Sequence, residues 1–188
     1  MNELRGNTAI SLITYIDHLQ KANVIDLAFY PLTVLENALE QHQVVFCYDN
    51  DSPAGYLWHG PVKPGKDTVI YQACVDYDSR KRHLGWGMVS QLIQLNKTGN
   101  ATGIRLRCAS SSESNEFWRM IGFYCTNVTS GGIRRKRDIN HWRTDTQTPL
   151  FVLDPVTPSD KPMDTREYYA MRRAGQKQPS RFGRRHYG

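Results

Sequence analysis

The stretch RKRHLGWGM, residues 80–88, places two glycines around a tryptophan directly after a cluster of cations. A β-rich run, residues 67–76, precedes it, and an amphipathic run with apolar Val89, Leu92 and Ile93 follows it. The predicted order is therefore a strand, a short glycine loop and a helix. Glycine inside a helix costs about 1 kcal/mol relative to alanine, so two glycines at a helix start require a physical reason.

Phosphate binding is one such reason. The first N–H groups of a helix have no partner within the helix, and the helix dipole adds partial positive charge there. Gly85 and Gly87 would let a diphosphate approach the backbone closely, while Arg80, Lys81 and Arg82 would attract it from further away. The alternative is that the two glycines only allow close packing of the helix on the strand.

Three phosphate-binding loops can be compared with this stretch. The P-loop requires Gly-Lys-Ser/Thr, but Met88 and Val89 follow Gly87. The dinucleotide fingerprint requires a third glycine at the position that Ser90 occupies. The pattern Arg/Gln-x-x-Gly-x-Gly/Ala matches residues 82–87, RHLGWG, at every fixed position.

This last pattern is similar to the coenzyme A loop of the GNAT superfamily of N-acetyltransferases, which the chain resembles over roughly residues 8–154. In that family the loop follows a long strand and opens a helix, and a further strand and helix come next. Residues 115–123, NEFWRMIGF, resemble a shortened form of that second helix, with its aromatic pair and terminal Gly-Phe. The resemblance implies an α/β (α+β) fold with a mixed, mostly antiparallel central sheet flanked by helices.

The resemblance also implies acetyl-CoA, or another acyl-CoA, as the cofactor. The glycine loop would bind the diphosphate, and the end of the preceding strand would pair with the pantetheine arm. The cofactor-binding residues that it implies are Cys74, Val75, Asp76, Arg82, His83, Leu84, Gly85, Trp86, Gly87, Asn115 and Trp118.

The activity that the resemblance implies is transfer of an acyl group to an amine. An ammonium group is not nucleophilic, so a base or a water relay must remove a proton. Asp76 and Asp78, at the exit of the strand, are the candidate bases, and His59 is a further candidate. The alternatives are that the two carboxylates are loop or cap residues and that the histidine is structural.

The leaving thiolate would take a proton from an acid or from solvent. Trp118 stands where many family members have a tyrosine, and indole is not a useful acid. Tyr124 is the candidate catalytic acid, and Tyr77 is an alternative. Cys108 ends a predicted strand, where it would be either a buried thiol or the carrier of an acyl group.

Charge suggests one class of acceptor. The net charge of +6 resides in the last 21 residues, which carry six Arg or Lys and no acid. Residues 133–143 add five cations and Trp142, and residues 168–188 interleave cations with aromatics. Cations bind phosphates and aromatics stack on bases, so these segments predict a nucleic-acid partner. The alternatives are a solvated tail, a small-molecule or protein amine as acceptor, and a non-catalytic GNAT-like module that binds nucleic acid or another partner.

Composition limits the remaining classes. The chain has 188 residues, 39% of them hydrophobic, which predicts one GNAT-like domain at 1–154 and a basic extended tail at 155–188. No apolar run is long enough for a membrane helix, and no secretory signal is evident, so we expect a cytoplasmic protein without membrane contact. Four dispersed cysteines and no H-E-x-x-H motif predict neither disulfides nor a metal site.

Local patterns predict the remaining elements. Helical spacing covers 8–41, with Pro31 in a first turn. A turn at 49–53 predicts a β-hairpin. Ser110 and Glu113 have the spacing of a capping box. Further strands are expected at residues 103–109, 123–128 and 148–154.

Overall fold

The structure is a computed structural model that describes residues 2–24, 27–130 and 137–146. The helices and strands in these ranges are α1 (Asn2–Ala22), α2 (Leu32–Glu40), β1 (Val44–Asp49), β2 (Ser52–His59), β3 (Asp67–Val75), α3 (Leu84–Thr98), β4 (Gly103–Ala109), α4 (Ser114–Met120), β5 (Tyr124–Ser130) and β6 (Asp138–Asp145), with a 3-10 turn at Tyr77–Ser79. The predicted order is confirmed up to β5, whereas β6 is an element that the sequence patterns do not predict.

The six strands form one sheet in the order β1-β2-β3-β4-β6-β5. The pairs β1–β2, β2–β3 and β5–β6 are antiparallel, whereas β3 and β4 are parallel and are connected through α3. Backbone bonds from Thr146 to Thr102 (3.3 Å) and from Ser110 to Asp138 (2.8 Å) indicate that β4 and β6 are antiparallel. The predicted mixed, mostly antiparallel sheet is confirmed.

The chain divides into two compact units. The first contains the described residues of 1–106 and 145–148, and the second contains those of 107–144. Within the described ranges, no helix has both the length and the apolar character that crossing a membrane requires. The strand predicted at 148–154 and the tail at 155–188 lie outside the described residues.

The β1–β2 hairpin turns tightly at Asn50 and Asp51, whose φ angles are +48° and +65°. Two consecutive left-handed residues are typical of a two-residue hairpin loop, and Asn and Asp tolerate this conformation better than most residues. The register places Asp49 opposite Ser52. The predicted hairpin is confirmed, and its tight turn fixes the position of Asp49 at the end of β1.

The core of the first unit covers both faces of β2, whose residues 54–59 are all buried. One cluster joins α1 and α2 to the sheet, and its buried members are Ile16, Leu19, Leu35, Ala38, Tyr56, Trp58 and Cys74. Helix α3 also packs against β1, β2 and β3 and buries Met88, Val89, Leu92 and Ile93. A strand that is covered on both faces is expected to be apolar over its buried run, as residues 54–58 of β2 are.

A buried polar network fixes the segment between α1 and α2. Tyr56 donates its hydroxyl to the Gln72 side-chain oxygen at 3.0 Å, and the Gln72 amide donates to the Gln20 oxygen at 3.0 Å and to the Ala28 carbonyl. The Tyr30 backbone amide also donates to the Gln20 oxygen, at 3.0 Å. Buried amides are stabilising only when they are paired, so this network connects α1, β2 and β3 to one another.

The second unit is built around α4 and the β5–β6 hairpin. Trp118 is buried and makes edge-to-face contacts with Phe117 and Phe123, at centroid distances of 5.0 and 5.2 Å. Gly122 follows α4 with a φ of +89°, which favours glycine and confirms the predicted helix stop. The predicted capping box is wrong. The helix begins at Ser114, so Glu113 is its N-cap residue and not a residue of its first turn, and Glu113 makes no side-chain capping bond.

Candidate functional site

The start of α3 presents an open backbone. The loop before it contains two non-glycine residues in the left-handed region, Lys81 (φ +62°) and His83 (φ +60°), which is the N-cap residue. Such conformations are costly, and they concentrate at functional sites. Within the described ranges, the backbone amides of Leu84 and Gly85 have no hydrogen-bond acceptor. These two donors lie at the positive end of the helix dipole and can bind an anion.

Gly87 contributes space rather than a hydrogen-bond donor. Its amide donates to the His83 carbonyl at 3.0 Å, which is the first bond of the helix. A Cβ added at Gly87 would meet no atom within 4 Å outside its own helix turn. The sequence pattern treats both glycines as parts of one anion-binding loop. The structure separates them into a donor at Gly85 and an open surface at Gly87.

The three cations before α3 have different surroundings. Arg80 donates to the Val75 carbonyl at 3.1 Å and to the Asn23 side chain at 2.9 Å. Its guanidinium lies 5.3 Å from the centroid of the exposed Tyr77 ring. Arg82 forms an ion pair with Asp49 on β1. Arg80 therefore holds the exit of β3 to the end of α1, and Arg82 remains the candidate side chain for a phosphate.

The edge of β3 that faces β4 is only partly paired. The parallel register begins at Asp67 and ends at Ile70, opposite Leu106, whereas pairing with β2 continues to Val75. Residues 71–75 therefore extend beyond the β3–β4 ladder. An unpaired strand edge offers backbone donors and acceptors to a bound chain.

Backbone alternation shows which residues form that edge. The Asp76 amide donates to the Ala54 carbonyl at 2.9 Å, so it points to β2. Backbone groups of successive residues point to opposite sides of a strand, so Cys74 also points to β2 and Val75 and Ala73 point away from it. Among the predicted strand contacts, Val75 has its backbone directed away from β2, and its contact with a coenzyme stays a prediction. Ala73 is an addition, and the backbones of Cys74 and Asp76 are directed to β2.

Tyr15 on α1 is within electrostatic reach of the candidate base Asp76. Burial of the Tyr15 phenol, together with the negative charge of Asp76, raises its pKa above the ordinary value, so it stays protonated. The Tyr15 hydroxyl is buried, with no hydrogen-bond partner among the described residues. Asp76 is half-buried, whereas Asp78 is exposed in the 3-10 turn. Sequence analysis misses Tyr15 because it lies within an ordinary amphipathic helix.

Asn115 has an internal role in the second unit. Its side-chain amide donates to the carbonyls of Ala109 and Ser112, each at 2.7 Å. Its side-chain oxygen accepts from the Asn140 amide at 3.0 Å and from the Trp142 indole at 2.9 Å. The side chain thus joins the start of α4 to β6. Binding of a coenzyme by Asn115 stays a prediction, and it would have to compete with these bonds.

The other predicted residues of the second unit have distinct environments. Trp118 is buried among aromatics, which suits a core residue. Tyr124 is exposed on β5, and its hydroxyl accepts from Arg143 at 2.7 Å. Cys108 is half-buried, with its sulfur 3.0 Å from the Ser114 hydroxyl oxygen. The roles of Trp118 in cofactor binding and of Tyr124 as an acid stay predictions.

The cationic segment 133–143 is partly a strand. Its described residues belong mainly to β6, where Trp142 is buried and donates its indole N–H to Asn115. The prediction that Trp142 is available for stacking on bases is wrong, because the ring is 6% exposed. Residues 133–136 and 168–188 lie outside the described residues, so their predicted contact with nucleic acid stays a prediction.

Known structures identify the fold, although no protein-family model matches the sequence and no curated protein sequence is significantly similar to it. Ard1 from Thermoplasma volcanium has a TM-score of 0.62 at 14% identity, over 71% of this chain and 90% of Ard1. A ribosomal-protein-alanine N-acetyltransferase from Brucella melitensis has a TM-score of 0.59 at 14% identity, over 73% of this chain and 93% of that protein. Naa50 from Arabidopsis thaliana, solved with the bisubstrate analogue CoA-Ac-MVNAL, has a TM-score of 0.58 at 16% identity, over 70% and 91%.

The chain has the GNAT fold. The resemblance carried by residues 82–87 and 115–123 is thereby confirmed at the level of the fold. In this GNAT fold, the glycine loop lies at the start of α3 and the partly paired edge belongs to β3, as the resemblance implies. Both features belong to the first unit, together with Asp76 and Asp78.

His59 is a core residue of the GNAT fold in this chain. It is 3% exposed, and its Nδ1 lies 2.7 Å from the Gly60 carbonyl, while Nε2 has no partner among the described residues. Burial lowers the pKa of the imidazole, so the ring is neutral near pH 7. This environment favours the structural interpretation of His59 over a role as the general base.

Proposed function

We propose that the chain is an N-acetyltransferase that uses acetyl-CoA to acylate an amine. The observation that carries this proposal is the open start of α3, where the Leu84 and Gly85 amides lack acceptors and the space beside Gly87 is empty. The GNAT fold supports it, because the known structures with this fold include N-acetyltransferases. The residues present fit an acyl-CoA.

Two sets of groups would hold the coenzyme. The amides of Leu84 and Gly85, with the Arg82 guanidinium, suit its diphosphate, since backbone N–H groups at a helix start are efficient anion ligands. The outward backbone of Ala73 and the Val75 amide suit the amide groups of the pantetheine arm, whereas the Val75 carbonyl already accepts from Arg80. When it is bound, acetyl-CoA supplies a thioester carbon that an amine can attack.

Asp76 is the proposed base. It follows the open edge of β3, and it is half-buried, which limits competition from solvent. A carboxylate here would accept a proton from the ammonium form of the acceptor, directly or through water. The neighbouring Tyr15 phenol stays protonated and would donate a hydrogen bond to the acceptor or to that water.

The proposed acceptor is an amine at the N-terminus of a protein. The Arabidopsis structure contains an analogue that joins CoA to an acetylated peptide, and the Brucella protein is named for an alanine of a ribosomal protein. Small amines are the alternative within the same chemistry. A nucleic-acid acceptor is supported only by the charge of residues 133–143 and 168–188, and burial of Trp142 weakens it.

Calorimetry with acetyl-CoA and mass spectrometry of the products test this proposal. We expect acetyl-CoA to bind with micromolar affinity. A peptide with an unblocked N-terminus should gain about 42 Da, the mass added by one acetyl group, whereas the same peptide with a blocked N-terminus should not. Polyamines and a short RNA are the comparison acceptors. A folded protein that binds no acetyl-CoA would contradict the coenzyme assignment, and one that binds without transfer to any acceptor would favour a non-catalytic module.

A matched pair of variants tests the base. Asp76→Asn should lower kcat by about 100-fold with little change in the affinity for acetyl-CoA, since general bases contribute about 10²–10⁴-fold. Asp78→Asn removes the same charge from the exposed 3-10 turn two residues later and should leave kcat within about twofold. Equal losses in the two variants would indicate that neither carboxylate is the base.

A further inference from the structure

The ion pair between Arg82 and Asp49 joins two segments that are distant in sequence. Arg82 Nη1 contacts Asp49 Oδ2, and the two side chains are 54% and 27% exposed. Arg82 lies in the loop that enters α3, and Asp49 is the last residue of β1. A carboxylate therefore holds the one cation of the coenzyme loop motif, RHLGWG, two residues before the first unpaired amide of α3.

The backbone on both sides restricts this pair. Asn50 and Asp51 adopt left-handed conformations directly after Asp49, and Lys81 and His83 do so on either side of Arg82. These conformations fix the course of the backbone that carries the two side chains. The two charged groups thus meet because two turns present them to each other, whereas a pair between long side chains on regular surfaces is less constrained.

Neighbouring cations do not share the carboxylate. The Arg80 guanidinium contacts the Val75 carbonyl and the Asn23 side chain, so it is directed toward α1 and β3. Among the described residues, the ion pairs of the first unit include Arg82–Asp49 and Lys21–Asp17, and the second of these lies within α1. Asp49 therefore acts on Arg82 in particular.

We propose that Asp49 is a positioning residue that holds Arg82 back from the coenzyme diphosphate and so weakens coenzyme affinity. The inference rests on the proposed function and adds a tuning residue to it. A diphosphate at the start of α3 attracts the guanidinium, but it must displace a carboxylate that already neutralises it. The negative charge of the carboxylate also repels the diphosphate. Release of CoA is faster as a result, which favours turnover when product release is slow.

Calorimetry with CoA and with inorganic diphosphate, carried out on four proteins and one control variant, tests this inference. They are the wild type, Asp49→Asn, Arg82→Gln, the double variant, and Asp51→Asn. Asp51 is exposed, lies two residues further along the same turn, and carries the same charge without an ion pair to Arg82. Asparagine tolerates its positive φ, so this control changes the charge and keeps the turn.

We expect Asp49→Asn to bind CoA about three- to fivefold more tightly at low salt, as the strength of an exposed ion pair allows. Asp51→Asn should change the affinity by less than about 1.5-fold, because salt and distance screen its charge. When Arg82→Gln is already present, adding Asp49→Asn should change the logarithm of the CoA affinity by less than about half of the change that Asp49→Asn causes in the wild type.

Three results would overturn the inference. Weaker binding by Asp49→Asn would mean that the carboxylate orients Arg82 for the phosphate, and equal effects of Asp49→Asn and Asp51→Asn would mean that only net charge matters. Failure of every variant to bind either ligand would remove the anion site as well. Binding of diphosphate with the expected pattern, but no binding of CoA, would support the role of Asp49 and contradict the proposed function.

Discussion

Helices α3 and α4 both follow a strand through a short loop, but their first turns treat the backbone amides differently. At α4, the amides of Asn115 and Glu116 donate to Ser112 and Glu113, each at 3.2 Å, and the Asn115 side chain binds the loop carbonyls. At α3, the Leu84 and Gly85 amides have no acceptor within the described ranges. One helix start is closed by its own loop, and the other is open to a ligand.

The difference arises from the residues of the two loops. The loop before α4 is rich in serines, whose hydroxyls and carbonyls bend back onto the helix start. The loop before α3 instead places Lys81 and His83 in left-handed conformations, and Gly85 and Gly87 in the first turn of α3 have no side chain that could fill the space. A strand, a loop and a helix therefore do not make an anion site unless the loop leaves the first amides unpaired.

The largest expected effect is the loss of CoA affinity after a substitution at the open start of α3. Gly87→Glu places a carboxylate in the empty space beside the proposed diphosphate site, and we expect the affinity for CoA to fall by about 100-fold or more. Gln91→Glu adds the same charge one turn later on an exposed position of α3 and serves as the control. Calorimetry measures both affinities, and circular dichroism checks the fold. Equal affinities of Gly87→Glu and the wild type would show that the diphosphate does not bind here.

A substitution at the closed start of α4 should lower the stability of the protein and not its affinity for CoA. Asn115→Ala leaves the buried Asn140 amide and Trp142 indole without their acceptor, and we expect a loss of about 2–4 kcal/mol in the free energy of unfolding. Glu116→Ala, exposed on the same helix, should cost less than about 0.5 kcal/mol. Urea titration gives both values. A stable Asn115→Ala protein with weakened CoA binding would instead support the sequence prediction that Asn115 binds the cofactor.

The sequence predicts the open start well because its signal is local. Residues 82–87 carry a six-residue pattern, and the strand and helix on either side have clear apolar periodicity. β6 gives no such signal. Asn140, Trp142 and Thr144 are buried, and two of these three are polar, so the sequence of this strand resembles that of a cationic loop. Apolar periodicity does not reveal a strand whose inner face is largely polar.

The parts of the candidate site that sequence analysis misses depend on tertiary contacts. Ala73 is assigned by the direction of its backbone, which follows from the β2–β3 register. Tyr15 becomes a candidate only because the fold brings α1 close to Asp76. Asp49 becomes one because two turns meet. None of these residues belongs to a motif, so spacing along the chain carries no information about them.

His59 should make the stability of the first unit depend on pH. Its pKa is lowered by burial in the folded chain, whereas the unfolded chain has a pKa of about 6.5. The unfolded state therefore binds the proton more readily, and stability that is present above pH 6.5 is lost as the pH falls below it, by at most about 1.4 kcal/mol per pH unit. Urea midpoints at pH 7.5, 6.5 and 5.5 measure this slope.

A variant at each of two histidines separates His59 from other titrating groups. His59→Gln should flatten the dependence of stability on pH, and His18→Gln, at an exposed position of α1, is the matched control. If His59→Gln keeps the slope of the wild type, another group is responsible. In that case the neutral, buried state assigned to His59 would be wrong.

The smallest expected effect is a change in stability that has opposite signs at the two ends of α3. Gly87→Ala meets no atom within 4 Å and replaces a helical glycine, so we expect it to stabilise the protein by about 0.5–1 kcal/mol. Gly99→Ala, at the other end, should destabilise it, because the added Cβ would lie 2.4 Å from Val62 Cγ1. Thermal unfolding of the two variants measures both changes. A glycine that costs stability yet has room for a larger side chain is best explained by a ligand that needs the space, and a destabilised Gly87→Ala would contradict that explanation.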